Sequence, residues 1–151
     1  MSESRTKTDW QKYLKTLAIC LIVIDLIFIV LGAIVAAGIV DPEFTYGLFD
    51  LTPEMVGAMG ADIQTGLTIV GIILIVVYAV NLLISLLVLR GAKNPSKIKP
   101  AMILTGISAA VSVVALVQAA MAGDPFGTAF GQAFLVVVEF YGTIKVNQLN
   151  K

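Results

Sequence analysis

The sequence predicts an all-α integral membrane protein, a bundle of four transmembrane helices. Hydrophobic residues make up 58% of the 151 residues and charged residues 13%, with a mean hydropathy of +0.96. Soluble domains are far less apolar. Four apolar runs of about 20 residues or more are each long enough to cross a hydrocarbon core of about 30 Å. The charged residues lie almost entirely between these runs.

The apolar runs define a single membrane domain over residues 16–146, with an N-terminal segment 1–15 before it and a tail 147–151 after it. The first run is much longer than the apolar region of a signal peptide, about 7 to 15 residues. We therefore expect it to be retained as a span, although Val35-Ala36-Ala37 resembles a peptidase site. The spans are predicted over about residues 16–40, 65–89, 101–122 and 126–146.

The charges are separated by sign along the chain. All ten Lys and Arg residues lie near the two termini or in the basic segment Arg90–Pro100, which fall on one side of a four-span protein. The connection of residues 41–64 holds acids and no base. By the positive-inside rule, both termini and the basic segment are cytoplasmic, in the cytoplasmic membrane of the cell. The bases of the basic segment are candidates for anionic lipid headgroups, at about 1 kcal/mol each: Arg90, Lys93, Lys97 and Lys99.

The connection of residues 41–64 is expected to lie outside and to contain a short amphipathic helix over about residues 53–60. Thr52 is suited to cap this helix, Pro53 to its first position and Glu54 to its first turn. The second outer connection is expected to be tight, because Gly123-Asp124-Pro125 leaves room for only a few turn residues.

Two acids, Asp25 and Glu139, lie inside predicted spans at matching depth, where a charge costs about 2.5 to 3.5 kcal/mol on insertion scales. Hydrogen-bonding groups fall in the same half of the membrane: Asn81, Ser85 and Ser108. One interpretation is structural, with protonated or proton-sharing acids that fix helix register. Another is an all-oxygen site for a proton or a hard cation such as sodium. A third is that one acid faces a partner subunit.

Small residues recur at helical spacing and predict close helix packing in lipid. The third span carries the clearest stripe, which includes Ser112, Ala115 and Ala119. Gly127 and Gly131 form a small-xxx-small pattern that seats helix on helix, either within the chain or between subunits.

The composition also argues against several function classes. The chain has no His and one Cys, so an intrachain disulfide, the commonest metal ligands and the commonest general base are missing. We expect no enzyme activity, no cofactor and no metal. Nucleic-acid binding is not expected either, because the chain lacks a basic excess. Cys20 suits acylation or, more simply, an apolar packing role.

Four spans with internal termini resemble the layout of tetraspan proteins such as claudins and tetraspanins, without the Cys motifs of their outer loops. Small multidrug resistance transporters also have four spans and an acid in the first, which is Asp25 here. The expected function is a non-enzymatic structural, accessory or oligomer-forming membrane component. Its expected partners are membrane lipids and further copies or another membrane protein. The alternative is a small proton- or cation-coupled transporter or channel subunit that uses Asp25 and Glu139.

Overall fold

The computed structural model describes residues 2–39, 41–49, 51–58, 62–123 and 127–151. Nearly all of these residues are helical. The helices are α1 Ser2–Ala36, α2 Pro42–Phe49, α3 Pro53–Gly57, α4 Ile63–Lys93, a short 3₁₀ helix Pro95–Lys97, α5 Ile98–Ala122 and α6 Gly127–Leu149.

Four helices are long and apolar enough to cross a membrane: α1 from Thr6, α4, α5 together with the 3₁₀ helix before it, and α6 from Ala129. The prediction of an all-helical fold with four such helices is confirmed, and the chain is a multi-pass membrane protein. The predicted tight turn at Gly123-Asp124-Pro125 is described only at Gly123, where α5 ends with a positive φ of 73°. Residues 124 and 125 lie outside the described residues.

The first helix begins well before its apolar run. The N-terminal segment before the predicted first span is helical as well, and α1 is continuous from Ser2 to Ala36. No Gly or Pro interrupts the chain before Gly32, so nothing in the backbone stops the helix at the membrane boundary. Gly38 ends it in the left-handed region, at φ 69°, where its N–H donates to Val35 O.

The basic segment is far more helical than a loop. Asn94, with extended φ and ψ of −132° and 92°, is the one residue between α4 and the 3₁₀ helix. Its conformation follows from Pro95, which disfavours helical geometry in the residue before it. Two backbone hydrogen bonds of 2.9 Å hold the turn, from Asn94 N–H to Arg90 O and from Lys97 N–H to Asn94 O.

The connection between α1 and α4 contains two short helices. Helix α3 has Thr52 as its N-cap, with Met55 N–H donating to Thr52 Oγ1 at 3.2 Å. Residues 59 and 60 of the predicted helix lie outside the described residues. Helix α2 was not predicted, although Asp41-Pro42-Glu43 carries the same signal as Thr52-Pro53-Glu54. Asp41 Oδ1 accepts from Glu43 N–H at 3.0 Å.

The chain divides into two compact units. Unit 1 comprises Met1–Ile22 and Leu83–Lys151, and unit 2 comprises Val23–Leu82. The core of unit 2 is small: Val35 and Leu67 are buried, and Tyr46 and Leu51 pack against them. The core of unit 1 is larger and gathers side chains from four helices: Leu14, Ala18, Val88, Ala92, Ile98, Ala101 and Val146.

Candidate functional site

Asp25 is the buried acid of unit 2, with only 4% of its surface exposed. One turn further along α1, the Phe28 ring stacks on the Tyr78 ring of α4, with centroids 4.6 Å apart and planes at 11°. Tyr78 lies close enough to Asp25 for the charge of the acid to act on the phenol. Asn81 follows Tyr78 by one turn of α4 and is half-buried. Unit 2 therefore brings an acid and a phenol together at a stacked pair of rings.

Two glycines bring α1 and α4 close together within unit 2. A Cβ built on Gly71 would lie 2.5 Å from both Gly32 O and Ala36 N, and one built on Gly32 would lie 3.0 Å from Gly71 O. At Gly71 only glycine fits without a shift of the backbone, and at Gly32 a Cβ would be tight against the neighbouring helix. Thr68 Oγ1, on the same helix as Gly71, donates to Ala36 O at 3.3 Å. Helices in lipid associate through such contacts between small residues, and this crossing holds the α1 and α4 segments that carry Asp25 and Tyr78.

Glu139 is the buried acid of unit 1, and it is also only 4% exposed. Ser85 of α4 is 3% exposed, and Ser108 of α5 is half-buried. These three candidate residues belong to unit 1, whereas Asp25 and Asn81 belong to unit 2. In each unit, one of the described acids is almost completely buried within the protein. The same unit also holds at least one predicted hydrogen-bonding residue.

A threonine pair that was not predicted joins α5 to α6 in unit 1. Thr105 Oγ1 and Thr143 Oγ1 are 3.4 Å apart, and both residues are fully buried. Each hydroxyl has a closer backbone partner, because Thr105 donates to Ala101 O at 2.8 Å and Thr143 to Phe140 O at 2.6 Å. The sequence feature that could have indicated Thr143 is its spacing, because it lies one helical turn after Glu139 on the same face of α6.

The predicted helix-packing residues differ in what they contact. Ser112 and Ala119 of α5 are half-buried, and Ala115 is exposed. A Cβ built on Gly127 or Gly131 would meet no atom of the described residues within 4 Å. By contrast, a Cβ on Gly106 of α5 would lie 2.9 Å from the Phe140 ring of α6. The two helices are therefore closely packed around Gly106, while the glycines at the start of α6 are open.

Three of the four bases that were predicted to bind lipid headgroups line one pocket. Arg90, Lys93 and Lys97 line a pocket of about 360 Å³ with Leu86, Leu89 and Asn94, whereas Lys99 is not among its lining residues. The pocket lies where α4 passes from its apolar run into the basic segment.

A second pocket, almost entirely apolar, lies between the N-terminal part of α1 and α6. Its volume is about 660 Å³, and it is lined by Asp9, Trp10, Tyr13, Val137, Val138 and Tyr141. Trp10 makes edge-to-face contacts with Tyr13 and Tyr141, at centroid distances of 5.6 Å and 5.7 Å. Lys145 Nζ lies 5.4 Å from the centre of the Tyr141 ring. Aromatic and basic side chains of this kind are typical of the membrane–water interface.

Among the described residues, no three of His, Cys, Asp and Glu come together in a way that could hold a metal ion. Cys20 is exposed and unpaired. The buried acids can bind or release a proton, and the threonine and glycine contacts can hold helices together. The sequence matches no family model, no curated protein and no solved structure.

Proposed function

We propose that this protein is a small, non-enzymatic component of the cytoplasmic membrane that works by associating with further copies of itself or with a partner membrane protein. The observation that carries the proposal is the open glycine face of α6, formed by Gly127 and Gly131. A Cβ on either residue would meet no atom of the described residues within 4 Å. Close packing is what glycine offers a helix in lipid, and none of the described residues makes that contact here.

The neighbouring surface of α5 supports the same conclusion. Ala115 is exposed, and so is Ala122 at the end of that helix. Lipid tails are as apolar as leucine, so helices in a membrane gain little from the hydrophobic effect and associate mainly by close van der Waals packing. At these two positions a second helix can approach more closely than it could at a large side chain.

The proposed orientation places both termini and the basic segment in the cytoplasm, and α2 and α3 outside. It is supported by the distribution of the ten Lys and Arg residues, none of which lies in the connections between α1 and α4 or between α5 and α6.

The association is tested by counting subunits of the full chain in lipid nanodiscs, using single-molecule photobleaching. Gly131→Leu fills the open face, and we expect it to shift the population to monomers. Gly47→Leu is the matched control, because a Cβ at Gly47 also meets nothing within 4 Å but lies on α2, outside the four apolar helices. Gly47→Leu should leave the population unchanged. A monomeric wild type, or an unchanged population for Gly131→Leu, contradicts association between copies of the chain.

A second candidate function is proton- or cation-coupled transport through Asp25 and Glu139. The observation that favours it is their burial, each at 4% exposure inside a long apolar helix. Buried ionisable groups in membrane spans are found in ion and proton pathways. Asn keeps the hydrogen-bonding ability of the site but cannot release a proton.

Transport therefore predicts that Asp25→Asn abolishes ion-dependent uptake into proteoliposomes while the variant still folds. A structural role predicts that the same variant folds and behaves as the wild type does. If wild-type proteoliposomes take up ions no faster than empty liposomes, the transport candidate fails.

A further inference from the structure

The basic pocket of unit 1 combines positive charge with an apolar surface. It is lined by Leu86, Leu89, Arg90, Lys93, Asn94 and Lys97, with a volume of about 360 Å³. Sites for small molecules in proteins are typically about 300 to 1,000 Å³. Three of the six lining residues are bases and none is an acid, so the pocket attracts anions.

Four of the six lining residues follow one face of α4. Leu86, Arg90 and Lys93 are spaced by four and three residues, so they lie along one side of the helix over about 10 Å. The apolar end of the pocket is at Leu86, which is 45% exposed, and the basic end is at Lys93 and Lys97. An occupant that matches this surface has an apolar part and an anionic part in the same molecule.

The turn at Asn94 fixes the basic end of the pocket. Ser96 Oγ donates to Asn94 Oδ1 at 2.6 Å, so the NH₂ group, on the other arm of the amide, points away from Ser96. Lys97 N–H donates to Asn94 O at 2.9 Å, and this bond brings Lys97 back toward the end of α4. Gln11 Nε2 donates to Ala92 O at 3.2 Å and ties the same turn to α1. The pocket is therefore built on a fixed backbone.

We propose that the basic pocket binds an anionic phospholipid, with its phosphate and headgroup against Arg90, Lys93 and Lys97 and an acyl chain along Leu86 and Leu89. Arginine binds phosphate oxygens through two parallel N–H donors, and lysine acts as a compact positive charge. The pocket lies at the end of an apolar run long enough to cross the membrane, which is the depth of the headgroups. Lys99, although a member of the same basic segment, is not part of this site.

The experiment measures lipid binding to the full chain in detergent by native mass spectrometry, with phosphatidylglycerol as the anionic probe and phosphatidylcholine as the zwitterionic one. We expect phosphatidylglycerol to bind more tightly. Arg90→Gln, Lys93→Gln and Lys97→Gln should each weaken its binding about fivefold, which corresponds to roughly 1 kcal/mol per base. Lys99→Gln is the matched control with the same loss of charge, and it should change binding less than twofold.

The apolar half of the pocket is tested separately. Leu86→Ala removes acyl contact but no charge, so it should weaken phosphatidylglycerol and phosphatidylcholine by the same factor. These side chains are exposed or half-buried, and each variant should therefore keep the wild-type circular dichroism spectrum.

Three results would overturn the proposal. Equal losses for Lys97→Gln and Lys99→Gln would mean diffuse attraction by the whole basic segment. Equal affinity for the two lipids would mean that the headgroup charge is not recognised. Displacement of the lipid by soluble glycerol phosphate at similar concentration would mean a site for a soluble phosphate instead.

Discussion

Two glycine pairs in this protein lie in opposite surroundings. Gly32 and Gly71 face each other in unit 2, where a Cβ on Gly71 would lie 2.5 Å from Gly32 O. Gly127 and Gly131 lie on α6 in unit 1, where a Cβ would meet no described atom within 4 Å. Small residues at helical spacing predict close packing in both regions. Among the residues that the structure describes, only the first pair has a packing partner.

The difference teaches that a small-residue pattern indicates a helix contact but does not say whose helix makes it. At Gly71 the contact is within the chain and stabilises the unit that holds Asp25. At Gly131 we propose a contact with another chain. Substitution at the first pair should therefore change folding, and substitution at the second pair should change association.

The largest expected effect is on stability, from Gly71→Ala. The added methyl group would overlap backbone atoms of α1, which cannot move aside as a flexible side chain does. We expect a loss of about 1 to 3 kcal/mol in the free energy of unfolding. Reversible unfolding by SDS titration of dilute, monomeric protein in mild detergent measures this loss.

Gly131→Ala is the matched control for this experiment. The same methyl group enters open space at the start of α6, and alanine is the better helix former by about 0.5 to 1 kcal/mol. The monomer should therefore be as stable as the wild type or slightly more stable. Equal losses in the two variants would remove the distinction between a filled and an open glycine pair.

A smaller effect is expected where α5 and α6 are packed within the chain, at Thr105 and Thr143. The two hydroxyl oxygens are 3.4 Å apart, and both donate to closer backbone carbonyls. We expect a coupling energy of about 0.5 kcal/mol from a double-mutant cycle with Thr105→Val and Thr143→Val. The unfolding titration used for Gly71→Ala measures it. A coupling energy above about 2 kcal/mol would show that hydrogen bonding, rather than close packing, dominates this helix pair.

The smallest effect concerns Asp62, which precedes α4, the helix that carries Gly71. Thr65 N–H donates to Asp62 Oδ1 at 2.7 Å, and the hydrogen bonds from the Thr65 backbone and side chain lower the pKa of Asp62 below its ordinary value of 3.8. Because the folded pKa is below the unfolded one, the stabilisation of this cap is present above about pH 4 and is lost as the pH falls through the lowered pKa.

An NMR titration of the Thr65 amide measures this pKa directly. The amide chemical shift should change with a midpoint below 3.8 in the wild type, and this change should be missing in Asp62→Asn. The variant should unfold at the same SDS concentration as the wild type, because the carboxylate is fully exposed and water weakens its interactions. A midpoint at or above the ordinary value would mean that Asp62 does not cap α4.

The long helices could be predicted from the sequence, because each apolar run is longer than the bilayer core is thick. The ends of the helices could not be predicted as well. The polar residues before Thr16 are compatible with helix, and only packing of residues such as Trp10 and Leu14 into unit 1 explains why α1 includes them. The charge pattern predicts that the basic segment connects two spans. The backbone makes this connection with a single non-helical residue, Asn94.

That Asp25 and Glu139 are buried could be predicted, because an ionisable residue in a membrane span is expected to face away from lipid. Depth along a helix, however, does not define neighbours. It gave no indication of the stacked Phe28 and Tyr78 rings of unit 2. Tertiary contacts of this kind depend on helix rotation, which a periodic pattern fixes only approximately.

The aromatic cluster around Trp10 has a practical consequence. The sequence contains a single tryptophan, and its ring contacts Tyr13 on its own helix and Tyr141 on α6. Intrinsic fluorescence excited at the indole therefore comes from one known position, where the first and last helices of unit 1 meet. Separation of α1 from α6 would expose the ring to water and shift its emission to the red. The fluorescence of unlabelled protein therefore shows whether these two helices are packed together.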